Sequence, residues 1–183
     1  MVTFYQFLFR QHMGTSNSIQ RTQPQIPALS KRDLAKFVKE TRFNEREVKW
    51  LYAHFHTISN SIEADGLIDC EEFKLALDIK NPELARRIFV VFDENGDGMI
   101  TFTEFLRGMS FLSPGAKIDE KLYFSFRMFD LDNDGTIDKE ELYQMLQASL
   151  FDNPQIRLTE EDMRSVVDNT FTEVDANGDG RIS

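Results

Sequence analysis

Two twelve-residue segments of the chain carry oxygen-bearing side chains at the same spacing. They are DENGDGMITFTE (93–104, loop 2) and DLDNDGTIDKEE (130–141, loop 3). Each begins with Asp, has oxygen-bearing side chains at positions 3, 5 and 9, and ends with Glu. A hard cation that takes six to eight oxygen ligands is bound by such a loop, with a backbone carbonyl at position 7 and a bidentate Glu at position 12. The spacing therefore predicts two calcium sites.

The candidate ligands follow from these positions. In loop 2 they are Asp93, Asn95, Asp97, the Met99 carbonyl, Thr101 (through water) and Glu104. In loop 3 they are Asp130, Asp132, Asp134, the Thr136 carbonyl, Asp138 and Glu141. Glycine at position 6 allows the sharp turn that redirects the chain. Because magnesium demands a tight octahedron, the bidentate Glu favours calcium.

Two further segments match the pattern in part. SIEADGLIDCEE (61–72, loop 1) begins with Ser, and its weaker candidate ligands are Ser61, Glu63, Asp65, the Leu67 carbonyl and Glu72. Loop 1 is either a calcium site, a longer loop that starts near Ser59 and uses backbone carbonyls, or a metal-free partner of loop 2. DANGDGRIS (175–183, loop 4) offers Asp175, Asn177, Asp179 and the Arg181 carbonyl and stops at position 9. We expect this fourth motif to be truncated, as in a partial gene product.

Helical patterns lie between the loops. Asn81-Pro82 predicts a capped helix start, and Thr159 three residues before Asp162 predicts a capping box. Leu122, Phe126 and Phe129 form an apolar stripe that leads into loop 3. This alternation of helix and acidic loop is the EF-hand. We predict an all-α fold of four EF-hands in two paired lobes, with short β-ladders between paired loops and a truncated fourth hand.

Proline and glycine positions place the boundaries. We predict a flexible N-terminal tail over 1–29, a first EF-hand pair over 30–110, a linker over 111–117, and a second, incomplete pair over 118–183. Most of the seventeen Phe residues are expected in the core, above all Phe73, Phe92, Phe105 and Phe129, which flank the loops.

The composition excludes several classes of function. Asp and Glu outnumber Lys and Arg by 31 to 21, which argues against a nucleic-acid partner. The single cysteine, Cys70, cannot form an intramolecular disulfide and favours a cytoplasmic location. His54 and His56 do not share a helix face, so they predict no zinc site. No phosphate loop, nucleophile elbow or catalytic metal cluster is present in the sequence, so we predict no catalytic residues and no enzyme.

A lipidation signal lies near the N-terminus. Met13-Gly14 followed by TSNS matches the start of an N-myristoylated chain. If Met13 is the functional start, Gly14 is the acylated residue; if translation begins at Met1, Gly14 has no free amine. A single acyl chain would give reversible peripheral membrane association.

The stretch FDENGDGMITFTEFLRGMSFLSPGAKIDEKLYFSFRMFDLDNDGTIDKEELYQML (92–146) resembles the central region of calcineurin B-like and neuronal calcium sensor proteins. Loop 1 lacks the Cys-Pro signature of the neuronal sensors, and 142–174 resembles the corresponding connection of calcineurin B-like sensors. The segment 73–92 is similar to calcineurin B. The resemblance covers 33–183 and favours the calcineurin B side.

The resemblance implies a non-catalytic calcium sensor. Calcineurin B regulates a serine/threonine phosphatase, and calcineurin B-like sensors activate serine/threonine kinases. We therefore expect a regulatory subunit that holds an amphipathic helix of a phosphatase or kinase catalytic subunit when calcium is bound. The alternatives are a membrane switch like the neuronal sensors, an EF-hand segment of a larger enzyme, and a calcium buffer.

Overall fold

The computed structural model describes residues 26–151 and 156–183. This part of the chain contains eight α-helices, and their bounds are α1 (Lys31–Glu40), α2 (Glu45–Ile58), α3 (Cys70–Ala76), α4 (Pro82–Phe92), α5 (Phe102–Leu112), α6 (Ile118–Phe129), α7 (Lys139–Phe151) and α8 (Glu160–Val174). Loop 1 lies between α2 and α3, loop 2 between α4 and α5, loop 3 between α6 and α7, and loop 4 follows α8. The predicted all-α EF-hand fold is confirmed.

The helix starts form where the sequence provides capping side chains. The Asn81 Oδ1 accepts hydrogen bonds from the Glu83 and Leu84 amides, with Pro82 in the first turn. The Thr159 hydroxyl accepts from the Asp162 amide, and the Asp162 carboxylate accepts from the Thr159 amide. These contacts satisfy N–H groups that a helix start leaves without a partner. Both predicted helix starts are confirmed.

Paired loops are joined through the isoleucine at position 8. Ile68 of loop 1 pairs with Ile100 of loop 2, and Ile137 pairs with Ile182 in the same antiparallel way. Each pair exchanges two backbone hydrogen bonds of 2.8–3.0 Å. The predicted β-ladders are wrong, because each contact in the described residues is a single bridge. Since α3 begins two residues after Ile68, the chain has no room to extend into a strand.

A cluster of phenylalanines forms the main core. Phe55, Phe73, Phe92 and Phe105 are at most 2% exposed. The Phe92 ring lies 5.1 Å from the Phe73 ring and 5.9 Å from the Phe124 ring. Because Phe124 belongs to α6, this core extends from the first EF-hand pair into the start of the second.

A smaller apolar cluster lies between α7 and α8. Its buried members are Tyr143, Val167 and Phe171, with partly buried side chains against them. The two helices are also held by an ion pair of 2.6 Å between Lys139 and Asp168. The second EF-hand pair thus has far less buried apolar surface of its own than the first.

Helix α4 connects the two pairs. The Asn81 Nδ2 donates to the Ala148 carbonyl of α7 at 2.8 Å, in a buried position. The Arg87 side chain is 3% exposed and contacts Glu83 at 3.1 Å, and it also donates to the Gln144 side chain of α7 at 3.1 Å. These contacts fix α4 against the exit helix of loop 3.

The apolar stripe of α6 does not face the core. Leu122 is 59% exposed, and Phe126 and Phe129 are half-buried, whereas Phe124 is the buried residue of this helix. Phe129, which was expected in the core, is therefore only half-buried, and the main core contacts α6 through Phe124 instead.

Candidate metal centres

The helices place the first and last candidate ligands of loops 2 and 3. Asp93 directly follows α4, and Asp130 directly follows α6. Glu104 lies in the first turn of α5, and Glu141 lies in the first turn of α7. Each loop therefore carries ligands on two helices, so a bound ion would tie the incoming helix to the outgoing one.

The carboxylate at position 1 organises the loop backbone. The Asp93 carboxylate accepts from the Gly96 and Gly98 amides at 2.8 Å. The Asp130 carboxylate accepts from the Asp134 and Gly135 amides at 3.1 Å. These turns need left-handed backbone, and φ is +84° at Gly98 and +85° at Gly135. The two loops thus adopt the same turn around their first ligand.

The carboxylate at position 5 is held in a second turn. The Asp97 Oδ1 accepts from the Met99 amide at 2.9 Å, and the Asp134 Oδ1 accepts from the Thr136 amide at 2.8 Å. The Thr136 hydroxyl, followed by the Arg181 guanidinium, lowers the pKa of Asp134. Both position-5 carboxylates are therefore fixed by the loop backbone, and Asp134 is also held ionised, as a cation ligand must be.

The glutamate at position 12 folds back over its loop. The Glu104 carboxylate accepts from the Thr101 amide at 2.9 Å, and the Glu141 carboxylate accepts from the Leu131 amide at 2.7 Å and the Asp138 amide at 2.8 Å. Both glutamates are less than 9% exposed. Hydrogen bonds to backbone amides keep these carboxylates directed at the loop.

The donor set fits calcium. Every buried carboxylate of the described residues lies at position 1 or 12 of a loop: Glu72, Asp93, Glu104, Asp130 and Glu141. In the described part of the chain none of them pairs with Lys or Arg. Buried charge of this kind needs a counter-charge. In loop 3, carboxylate oxygens of Asp130, Asp132 and Asp134 lie within 4.8 Å of one another. A bound calcium ion would supply the missing charge.

Loop 1 shares only part of this geometry. The Asp65 Oδ1 accepts from the Leu67 amide at 2.9 Å, and the Glu72 carboxylate accepts from the Ile62 amide at 3.1 Å. Position 4 has left-handed backbone in the other three loops, but Ala64 of loop 1 does not. Ser61 and Glu63 are exposed, and the Ser61 hydroxyl faces Glu72 at 3.5 Å. Loop 1 thus lacks the turn that a carboxylate at position 1 (the position-1 turn) forms in loops 2 and 3. The calcium ligands predicted in loop 1 stay predictions.

Loop 4 repeats the geometry of loops 2 and 3 over its nine residues. The Asp175 carboxylate accepts from the Gly178 and Gly180 amides at 2.8 Å, and the Asp179 Oδ1 accepts from the Arg181 amide at 2.9 Å. Asn177 donates to Asp179 at 2.9 Å. The candidate ligands of loop 4 are therefore grouped as the spacing predicts.

Two side chains near the sites were missed. Asp69 at position 9 of loop 1 forms a capping box with Glu72, as Thr101 does with Glu104; its equivalence to Thr101 and Asp138 was the available signal. The Arg181 side chain reaches from loop 4 to Asp134 of loop 3. The loop pattern assigns only the Arg181 carbonyl, so no sequence signal indicated this contact.

Two residues from the sequence analysis, Gly14 and Cys70, are not predicted metal ligands. Gly14 and the rest of its motif lie outside the described residues. Burial, followed by the neighbouring Glu71 and Asp69 charges, raises the pKa of the Cys70 thiol, which keeps it protonated and unreactive. In the described residues no helix is both long and apolar enough to cross a membrane.

Comparisons with known proteins agree with this geometry. A family model described as an EF-hand domain pair matches residues 119–183, and an EF hand domain model matches residues 84–112. The calcineurin B subunit of Naegleria gruberi is 32% identical over 171 residues, which cover 93% of this chain and 88% of the relative. The type 2 calcineurin B subunit of Homo sapiens is 34% identical over 143 residues, or 78% of this chain and 81% of the relative.

The chain belongs to the calcineurin B family. A third relative, the type 2 calcineurin B subunit of Dictyostelium discoideum, is 30% identical over 93% of the chain. The predicted resemblance is therefore confirmed, and the chain is an EF-hand protein that binds Ca²⁺. The assignment of individual ligands in the four loops remains our prediction from spacing and geometry.

Proposed function

We propose that this chain is the non-catalytic, calcium-binding regulatory subunit of a cytoplasmic serine/threonine phosphatase of the calcineurin type. Its relatives are calcineurin B subunits by name. In this proposal the chain holds an amphipathic helix of the catalytic subunit. The observation that carries it is an apolar groove between α4, α5 and α6.

Three helices form the groove: α4 and α5 belong to the first EF-hand pair, and α6 belongs to the second. The groove encloses about 230 Å³. Its apolar lining consists of Val91, Gly108, Phe111, Tyr123 and Phe124. Glu94 and Arg127 also line it and supply polar groups of both signs. An apolar lining with a few polar groups suits the apolar face of a helix with a polar margin.

Gly108, which lines the groove, allows α5 to lie close to the Phe92 ring. A Cβ atom built on Gly108 would lie 2.4 Å from the Phe92 ring, so any larger residue would displace that ring. Phe92 in turn contacts Phe124 of α6. The depth of the groove therefore depends on close approach between α5 and the core.

Helix α6 also exposes apolar side chains to solvent. Ile118, Leu122 and Tyr123 are 57–68% exposed. Tyr123 lines the groove, and Ile118 and Leu122 are apolar side chains of the same helix that the described residues leave open to solvent. Apolar patches of this kind mark interaction sites in soluble proteins. The acidic charge of the chain favours a partner helix with flanking basic residues.

Two of the helices that line the groove lead directly into the predicted metal sites. The groove walls α4 and α6 are followed directly by Asp93 and Asp130, the first candidate ligands of loops 2 and 3. Calcium binding in sensor EF-hands changes the angle between the two helices of a hand and exposes an apolar groove. Here that change would move two of the three groove walls.

The experiment measures how tightly a calcineurin-type catalytic subunit associates with the full chain when calcium or chelator is present. Tyr123→Asp places a charge in the groove, and we expect affinity to fall at least about tenfold because apolar contact is lost. Val166→Asp is the matched control, since Val166 is 45% exposed on α8, away from the groove. Equal effects of the two variants would contradict the groove assignment.

Capture from cell extract distinguishes the alternative functions. A kinase catalytic subunit in place of the phosphatase would support the calcineurin B-like interpretation, and membrane receptors or channels would support the neuronal-sensor one. If calcium loading recruits no partner and exposes no apolar surface to a reporter dye, the chain is a buffer. Each of these outcomes contradicts the phosphatase proposal.

Membrane association is a separate part of the proposal. If Gly14 carries a myristoyl group, the membrane affinity is on the order of 10⁴ M⁻¹, so attachment is reversible. The intact mass of the protein from its native source gives the start residue and any acyl group in one measurement. A mass that begins at Met1 without an acyl group would exclude lipidation at Gly14.

A further inference from the structure

The Arg181 guanidinium connects loop 4 to loop 3. Its Nη1 atom donates to the Asp134 Oδ2 and, at 2.8 Å, to the Thr136 hydroxyl. These residues occupy positions 5 and 7 of loop 3, both predicted ligand positions. The contact lies beside the single bridge between Ile137 and Ile182 that joins the two loops.

In loops 2 and 4 the same carboxylate oxygen is held from within the loop. The Asn95 Nδ2 donates to the Asp97 Oδ2 at 2.9 Å, and the Asn177 Nδ2 donates to the Asp179 Oδ2 at 2.9 Å. In all three loops the Oδ1 of position 5 accepts from the amide of position 7. In loop 3 the Thr136 hydroxyl also donates to the Asp134 Oδ1, at 2.6 Å, and the donor to the second oxygen comes from loop 4.

Loop 3 has no internal donor to the Asp134 Oδ2, because its position 3 is Asp132. An ionised carboxylate only accepts hydrogen bonds, so Asp132 cannot do what Asn95 and Asn177 do. It also adds a negative charge close to Asp130 and Asp134, whose carboxylates would repel it in the absence of an ion. A cation from the neighbouring loop offsets this repulsion and supplies the donor.

We propose that Arg181 is the positioning residue of the loop 3 calcium site: it holds the Asp134 carboxylate in its ligating orientation from loop 4. The affinity of loop 3 then depends on loop 4 being folded against it. The first EF-hand pair has no equivalent, because position 7 is Leu67 in loop 1 and Met99 in loop 2. This inference concerns metal binding alone and does not depend on the phosphatase partner.

The test is a calcium titration of the full chain followed by amide NMR. The Gly98, Gly135 and Gly180 amides report on loops 2, 3 and 4, since each donates to the position-1 carboxylate of its own loop. Arg181→Met keeps the backbone carbonyl and removes the guanidinium. We expect the affinity reported by Gly135 to fall about three- to fivefold, near the upper range for an exposed ion pair, while Gly98 is unchanged.

The sharper test restores a donor inside loop 3. Asp132→Asn alone should weaken loop 3 about threefold, because a charged ligand is lost. In the Arg181→Met background the same change should instead raise the affinity, because the introduced asparagine amide then donates to Asp134 as Asn95 does to Asp97. This reversal of sign is a coupling that a double-mutant cycle measures directly.

Two controls separate positioning from general charge. Arg164→Met removes the same charge from α8, where Arg164 pairs with Glu160 at 3.0 Å, and should leave Gly135 unchanged. High salt should reduce the effect of Arg181→Met, because the pair is exposed. If Arg181→Met leaves loop 3 unchanged or tightens it, or if Asp132→Asn has the same effect in both backgrounds, the proposal is wrong.

Discussion

The two EF-hand pairs build similar loops on very different amounts of packing. The first pair surrounds its loops with four phenylalanines that are at most 2% exposed. The second pair has a cluster of three buried residues between α7 and α8. Loop geometry in the first pair is therefore supported by its core, whereas in the second pair a larger share of the support must come from charges and bound ions.

The loops differ in the opposite way: the pair with less core packing has the more regular loops. Loops 3 and 4 of the second pair both have the position-1 turn, but in the first pair only loop 2 has it. A well-packed pair tolerates a loop that departs from the pattern, because its helices are already fixed. A sparsely packed pair needs both loops to hold its helices together.

The largest expected effect is the loss of core packing in the first pair. Phe92→Ala should lower the free energy of unfolding by about 3–5 kcal/mol, because Phe92 contacts Phe73, Phe105 and Phe124. Phe171→Ala should cost less, about 2–3 kcal/mol, since its cluster is small. Urea unfolding in chelator measures both.

Calcium should separate the two core variants further. Saturating calcium should recover more stability in Phe171→Ala than in Phe92→Ala, because ions stabilise the folded state by mass action and the second pair has two loops with the position-1 turn, against one in the first. Equal recovery in the two variants would show that both pairs depend on calcium to the same degree. That result would contradict the greater dependence of the second pair on bound ions.

The next effect concerns the position-12 ligands. Glu141→Gln should weaken calcium binding at loop 3, and Glu104→Gln at loop 2, each by about 2–3 kcal/mol, because a charged bidentate ligand becomes neutral. Calorimetry should show one site fewer in each variant. Only Glu141→Gln should also lower the thermal stability of the second pair strongly in calcium.

The matched control is Glu140→Gln. Glu140 is the exposed neighbour of Glu141 and its replacement removes the same charge without touching a ligand position. We expect unchanged stoichiometry and an affinity within about twofold of the unmodified protein, because solvent and salt screen an exposed charge that is not a ligand. Unchanged stoichiometry in both position-12 variants would refute the ligand assignment.

The sequence predicted the parts of this molecule that depend on local spacing. The turns of loops 2 and 3 and the starts of α4 and α8 were predictable, because Asp93, Asn81 and Thr159 act on backbone only a few residues away. The turn at the position-6 glycine was predictable for the same reason, because it depends on the backbone of that residue alone. The geometry of loops 2 and 3 could therefore be anticipated in detail.

Contacts between distant segments could not be predicted in this way. Helical spacing finds an apolar stripe on α6 but does not reveal that Phe124 packs inward and Leu122 faces solvent. An arginine in a helix is expected at the surface, yet Arg87 is buried between the pairs. Arg181 reaches a carboxylate 47 residues away, which no local pattern encodes.

The smallest effect tests whether the two pairs unfold as one unit. Asn81 serves both: its Oδ1 caps the start of α4, and its Nδ2 donates to Ala148 in the last turn of α7. Helix ends leave their last carbonyls without intrahelical donors, so this amide caps a second helix across the boundary. Asn81→Ser keeps the cap of α4 but is too short to reach Ala148, and it should cost about 1 kcal/mol. Asn81→Ala loses both contacts and should cost about 2 kcal/mol.

The single tryptophan, Trp50 in α2, reports on the first pair, and far-UV circular dichroism reports on all helices. If Asn81 couples the pairs, Asn81→Ser should make the two urea transitions diverge, because the weaker second pair then unfolds before the first. Asn81→Ala should shift both transitions further without a wider gap, since the additional loss lies within α4. Coincident transitions in Asn81→Ser would show instead that the shared core at Phe124, rather than the buried amide, makes the two pairs cooperative.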